Sequence, residues 1–192
     1  MMEYSIFTTH YAESDAIPCK GIYPIQVGKA LTKKELFPLN DFSADNISAK
    51  NPEYCELTAQ YWVWKNNCNS EYIGFMHYRR HVSFRNDNKK EEDAWGLIEY
   101  DKIDSKYLNE CGFEPEIINK ALDGYDILIA KEWDVTNSGN KNNYELYKNT
   151  PFLHIEDYNK AIRIVSEMYP DYDKAMSEYN RSKKGFYTNI FV

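Results

Sequence analysis

Seven consecutive residues, Tyr72-Ile-Gly-Phe-Met-His-Tyr78, are almost all apolar or aromatic, and the run stops at Arg79-Arg80-His81. A strand with one wet face alternates apolar and polar side chains. An unbroken apolar run of this length belongs instead to a strand covered on both faces, as in parallel sheets. With the helical stretches that alternate with apolar runs along the chain, that pattern points to an α/β arrangement with a mainly parallel central sheet flanked by helices. In such sheets ligands collect just beyond the carboxyl ends of the strands. The two arginines therefore stand where an anion would dock.

The remaining segments fit the same plan. Tyr4–His10 is rich in β-branched and aromatic residues and reads as a first strand, followed by a turn-rich stretch from Glu13 to Gly21. Leu31–Asn46 has no period and reads as a surface loop. Asn51 as cap, Pro52 at the first position and Glu53 in the first turn predict one helix from there to about Asn66–Asn69, with Tyr54, Leu57, Thr58, Tyr61, Trp62 and Lys65 on one face. Asn86–Asp93 is a polar charge run suited to a solvated loop, and a further helix is expected over Glu114–Asp123, stopped by Gly124. Tyr125–Ala130 reads as another buried strand, and Asn137–Asn143 as a loop with the chemistry of a lid. Two amphipathic helices are expected over Glu156–Tyr169 and after Pro170. Phe186–Val192 resembles a strand that stops without a turn, which leads us to expect that the sequence is a fragment of a longer protein.

At 192 residues, one domain spanning 1–192 is expected. The net charge of −7 argues against broad binding to nucleic acid or to an acidic membrane, because both require a basic face. No signal peptide and no apolar run of spanning length is present, so a folded cytoplasmic protein is expected. Cys19, Cys55, Cys68 and Cys111 form no CxxC pair and read as reduced thiols rather than zinc ligands.

Neighbouring arginines form charge-assisted, often bidentate bonds to phosphate oxygens without any change of ionisation. The plain alternative is that Arg79 and Arg80 point to opposite sides of a strand and pair with some of the 30 acidic residues. His77 and His81 flank them, but on or past a strand they share no helical face, which disfavours metal ligation. His10 ends the first strand and could meet the His77–Arg80 cluster along one sheet edge, the convergence a nucleotide pocket needs. Asp45 and Asn46 suit a turn. Glu56 shares a helical stripe with Glu53 and Gln60, and Asp126 lies within the expected buried strand, where a carboxylate needs a partner or a cleft. The single Asp-x-Asp match, Asp171-Tyr-Asp173, follows Pro170 between helices and reads as a cap, so no metal site is assigned and a divalent cation lacks a convincing motif.

Several blocks together resemble the DUF4422 family: Asp45-Asn-Ile-Ser48, Asn51-Pro-Glu-Tyr-Cys-Glu-Leu-Thr58, Tyr61-Trp62-x-Trp64-Lys-Asn66 and Tyr72 through Arg80. Thr9-His10, Gln26-Val27-Gly28, Tyr125-Asp-Ile-Leu128 and Asn189-Ile-Phe-Val192 extend the likeness over nearly the whole chain. That family is associated with capsule, exopolysaccharide and O-antigen synthesis, and its members are regarded as glycosyltransferases that usually continue past the last motif. The resemblance implies a GT-A-like core that takes a sugar from a nucleoside-diphosphate sugar to a glycan or lipid-linked glycan acceptor. A peripheral membrane location through the acceptor would follow.

On that reading His10, Asp45, Asn46, Asn51 and Tyr54 hold the nucleoside and sugar. Arg79 and Arg80, with His77, neutralise the diphosphate leaving group in place of a metal. Glu56 or Asp126 orients the acceptor hydroxyl or the donor sugar. A rival reading is a non-catalytic carbohydrate- or partner-binding domain that uses the aromatic surface of Tyr54, Tyr61, Trp62 and Trp64. A phosphoryl-transfer or phosphoesterase site at His77–His81 is disfavoured because no nucleophile or carboxylate group accompanies it.

Overall fold

The computed structural model describes residues 3–66, 69–187 and 189–192. The chain folds as two compact units, one of Met1–Lys89, Tyr100–Ala130 and Tyr187–Val192, the other of Lys90–Glu99 and Lys131–Phe186. The first unit is built on three parallel strands, β1 (Tyr4–His10), β2 (Ile22–Gln26) and β3 (Tyr72–His77), in the order β2-β1-β3. All seven residues of β1 are buried, as a central strand with both faces covered requires.

Alternate residues of the strands feed two separate cores. Tyr4, Ile6 and Met76 pack with Tyr107, Cys111, Ile118 and Leu122 from α3 (Ser105–Cys111) and α4 (Pro115–Leu122). Phe7, Ile25 and Phe75 pack on the other side with Ala59, Trp62 and Val63. The result is a parallel α/β unit with helices on both faces, as the uninterrupted apolar run implies. Neither α3 nor β2 is evident from periodicity: Asp104 caps α3 by accepting the Tyr107 amide, and Pro24 sits inside β2.

The helix expected as one piece from Asn51 is two, α1 (Asn51–Tyr54) and α2 (Leu57–Asn66). Between them Cys55 takes φ 46° and ψ −126°. This break resets the helical phase, so α2 buries Thr58, Ala59, Trp62 and Val63, whereas Tyr54 and Leu57 are exposed. Asn51 is the first helical residue rather than the cap. The expected helix end at Asn67–Cys68 lies outside the described residues, as does Thr188 of the expected terminal strand.

Tyr125–Ala130 is not a buried strand. Tyr125, Ile127 and Ile129 are exposed, and Leu128 alone exchanges both backbone hydrogen bonds with Val192. The pairing extends to one further bridge, Ile129 with Phe191. Phe191 in turn exchanges both bonds with Phe75, so the last residues lie antiparallel against β3. This contact needs Gly74, because a Cβ at that position would stand 2.8 Å from the Phe191 carbonyl oxygen.

In the second unit, β4 (Trp133–Asp134) pairs antiparallel with β5 (Lys184–Gly185) beside α5 (Asn143–Asn149), α6 (Ile155–Met168) and α7 (Asp173–Arg181). The stretch expected as a loop, Asn137–Asn143, is anchored at both ends. Val135–Ser138 forms a 3₁₀ turn, Asn142 caps α5 through the Glu145 amide, and buried Asn143 donates to the Tyr179 and Lys184 carbonyls. Asn residues serve helix caps as well as loops. Asp171 falls in a 3₁₀ turn, and Asp173 opens α7. Among the described residues, no helix is long and apolar enough to cross a membrane.

Gly74→Ala should lower stability by about 1–3 kcal/mol by forcing Phe191 and Val192 off β3. Urea unfolding measures it, and a neutral substitution would count against this contact.

Candidate functional site

The parallel register brings three strand ends to one edge. Thr9 pairs with His77 and His10 with Gln26, so the residues after β1, β2 and β3 all emerge on the same side. Beyond β3 the chain turns tightly: the His77 amide donates to the Arg80 carbonyl at 3.0 Å, and the Arg80 amide donates back to the His77 carbonyl at 3.2 Å. Arg79 and Arg80 therefore occupy a turn rather than alternating along a strand, and both are exposed. Among the described residues neither forms an ion pair with a carboxylate. The Arg79 guanidinium lies 4.9 Å from the centre of the Tyr78 ring, and Tyr78 meets exposed Tyr11 edge to face at 5.4 Å.

His10 is buried between Ser14 and Thr8, with Nδ1 2.7 Å from the Ser14 hydroxyl and Nε2 2.9 Å from the Thr8 hydroxyl. Burial, with His77 nearby as a second contribution, pushes its pKa down to about 4. Ser14 and Phe37, which packs on the His10 ring at 4.6 Å, also line a cleft of about 420 Å³ together with Glu13, Asp15 and Leu36. His81 bonds the Tyr107 hydroxyl at 2.6 Å, and burial likewise pushes it down to about 4.

A buried carboxylate that sequence reasoning missed organises the β2 end. Asp41 accepts the Gly28 amide at 2.8 Å, the Lys29 amide at 3.1 Å and the Ser48 hydroxyl at 2.5 Å. Gly28 has φ 66°, and a Cβ there would meet the Asn51 carboxamide oxygen at 2.9 Å. The Asn51 amide nitrogen in turn donates to the Cys55 carbonyl at 2.8 Å and the Thr58 hydroxyl at 3.2 Å. Asn51 thus clamps the break between α1 and α2. In an unbroken helix Glu56 would share the solvent stripe of Glu53 and Gln60. With the break, its Oε1 lies 3.6 Å from Nε2 of His77.

The remaining expected residues divide. Asp45 accepts the Tyr61 hydroxyl at 3.1 Å, Asn46 bonds its own loop at the Phe42 and Ala44 carbonyls, and Tyr54 is exposed on α1. Asp126 is exposed beside Tyr125, whose carbonyl accepts the Tyr72 hydroxyl at 2.8 Å. That is the amino end of β3, roughly 16 Å of strand away from His77. Of the aromatic set on α2, Trp62 is in the core with its indole N–H on the Ser43 carbonyl, and Trp64 is exposed beneath the Lys65 ammonium at 3.6 Å. Tyr11 and Tyr78 were not singled out from sequence; their signal was an aromatic residue directly after each strand end.

This is an α/β unit with cations and aromatics gathered at the carboxyl edge of a parallel sheet. The chain belongs to the DUF4422 family, described as "Domain of unknown function", whose profile matches residues 5–192. Among solved structures it is similar to the apo structure of the bifunctional glycosyltransferase WbbM, at 44% identity and a TM-score of 0.92 over 98% of this chain. The chain spans about a third of that protein, 33% of its length. No functionally curated protein matches it significantly.

Two outcomes follow from this geometry. Unfolded histidine ionises near pH 6.5, whereas folded His10 and His81 ionise near 4. The unfolded state therefore binds more protons between those values, and stability, complete above about pH 6.5, is lost as pH falls, by at most about 3 kcal/mol from His10. Urea midpoints measured from about pH 7.5 to 5 should fall, and His10→Gln should flatten the fall. Cys55 is exposed in a backbone conformation suited to glycine, so Cys55→Gly should raise thermal stability by up to about 1 kcal/mol and Cys55→Val should lower it by about 1–3 kcal/mol.

Proposed function

We propose that the chain is the nucleotide-sugar-binding part of a glycosyltransferase, with a GT-A-like core, acting in bacterial surface-polysaccharide synthesis. The sugar passes from a nucleoside-diphosphate donor to a glycan or lipid-linked glycan acceptor, which would bring the protein to the membrane surface through its acceptor. Arg79 and Arg80 meet the diphosphate, and the His10 end of β1 together with Asp45–Tyr54 forms the nucleoside and sugar side. Glu56 orients the acceptor hydroxyl or the donor sugar. Asp126 is set aside for this role because it lies at the other end of β3.

The observation that carries this reading is the pair of exposed arginines at the carboxyl edge of β3, which among the described residues have no carboxylate partner. Developing negative charge on a leaving diphosphate is stabilised by fixed cations at such a position. Likeness to a bifunctional glycosyltransferase over nearly the whole chain supports it. The rival reading, an aromatic binding surface on α2, is weakened because Trp62 belongs to the core.

Calorimetric titration with a panel of nucleoside diphosphates and their sugars tests the proposal. One nucleotide should bind at millimolar affinity or tighter, and Arg79→Ala and Arg80→Ala should each weaken it about tenfold or more. Unchanged affinity in both variants would remove the diphosphate assignment. Binding of free sugars alone would favour the rival.

A further inference from the structure

The contact between Glu56 and His77 has a defined polarity. His77 Nδ1 accepts the backbone N–H of Arg79 at 3.2 Å. A backbone amide only donates, so this bond requires Nδ1 to be unprotonated, and the single ring proton of the neutral imidazole then sits on Nε2. Nε2 is the nitrogen that faces the Glu56 carboxylate. The bond is held by the turn itself, which both backbone hydrogen bonds between His77 and Arg80 close.

The surroundings keep the ring neutral. Burial disfavours the charged form of His77, and Arg80 and Arg79 act in the same direction, while Glu56 opposes them. The charged and titratable groups around it are Glu56 from the α1–α2 break, Tyr78, whose ring centre lies 4.2 Å from that of His77, Arg79 and Arg80 from the turn, His10 from β1 and His81 just beyond the turn. Glu56 is the one anion among these. With Nδ1 engaged and Nε2 carrying its proton toward Glu56, the ring offers no lone pair to a substrate and no positive charge to a diphosphate. Its remaining chemistry is donation to the carboxylate.

We propose that His77 is a positioning residue for Glu56: the Arg79 amide selects its Nε2–H tautomer, which directs a proton at the carboxylate and fixes its aim at the carboxyl edge of the sheet. The strained backbone of Cys55, clamped by Asn51, delivers Glu56 to that proton. At 3.6 Å the pair stands just beyond hydrogen-bond length. Contacts of this kind commonly tighten once the reacting groups are bound. The task of the carboxylate rests on the transferase reading above, whereas its pairing with His77 does not.

Long-range proton–nitrogen spectra of the chain with labelled histidine test the pair directly. At neutral pH His77 should be the Nε2–H tautomer, titrating below the ordinary histidine range, and Glu56→Gln should lower its titration further. An Nδ1–H tautomer, or a titration indifferent to Glu56→Gln, would overturn the proposal. Turnover of a nucleoside-diphosphate sugar by the full-length enzyme gives the second arm. His77→Gln, whose amide N–H stands in for Nε2–H, should keep kcat within about threefold, whereas His77→Phe should lower it roughly 10- to 100-fold with donor KM within about twofold. Equal losses in the two variants would overturn positioning. If no nucleoside-diphosphate sugar binds, the transferase reading falls while the spectra still decide the pair.

Discussion

The pairing of β1 with parallel strands on both of its edges is the constraint from which the first unit follows. A strand hydrogen-bonded on both sides has no backbone group left for water, so both of its faces are free to be apolar. Tyr4 and Ile6 take one core and Phe7 the other. Helices on both faces are then required, and the parallel direction sends every strand end to the same edge. The position of His10 beside Gln26 and near His77 is a consequence of register, which a one-residue slip would destroy by exchanging the two cores.

A second layer of order rests on buried polar atoms. Asp41 accepts the Gly28 and Lys29 amides, so the end of β2 is closed by the protein's own carboxylate. Gly28 admits Asn51, Asn51 holds the carbonyl of Cys55, and the break at Cys55 turns Glu56 inward. Each link is short-range, yet together they join the end of β2 to the end of β3 without passing through the apolar core. Backbone strain at an exposed cysteine has no packing purpose; its visible effect is the direction of Glu56.

The parts legible in sequence were those decided by local pattern. β1 and β3 stand where the apolar runs place them, because a strand covered on both faces carries apolar side chains at consecutive positions. The arginine pair was visible for the same reason, as an abrupt change of character at a strand end. Where one residue type serves two purposes the reading failed. Of the asparagines between 137 and 143, Asn142 caps α5 and Asn143 opens it, while Tyr125–Ala130 has strand composition but, among the described residues, pairs with the last ones only through Leu128 and Ile129 and leaves Tyr125 and Ile127 exposed. β2 was hidden by Pro24, which a strand tolerates where the partner does not need its N–H.

The linear chain alone established an α/β core of parallel strands and the placing of two cations at the end of one of them, since periodicity and abrupt polarity changes are properties of neighbours along the chain. Which groups those cations would stand beside was settled only by folding. Asp41 meets Gly28 across 13 residues of chain, and Glu56 meets His77 through a positive φ at Cys55 that residue identity does not announce. Side chains distant in sequence are brought to hydrogen-bond range by register and by a single strained residue. A pattern read along one strand contains neither.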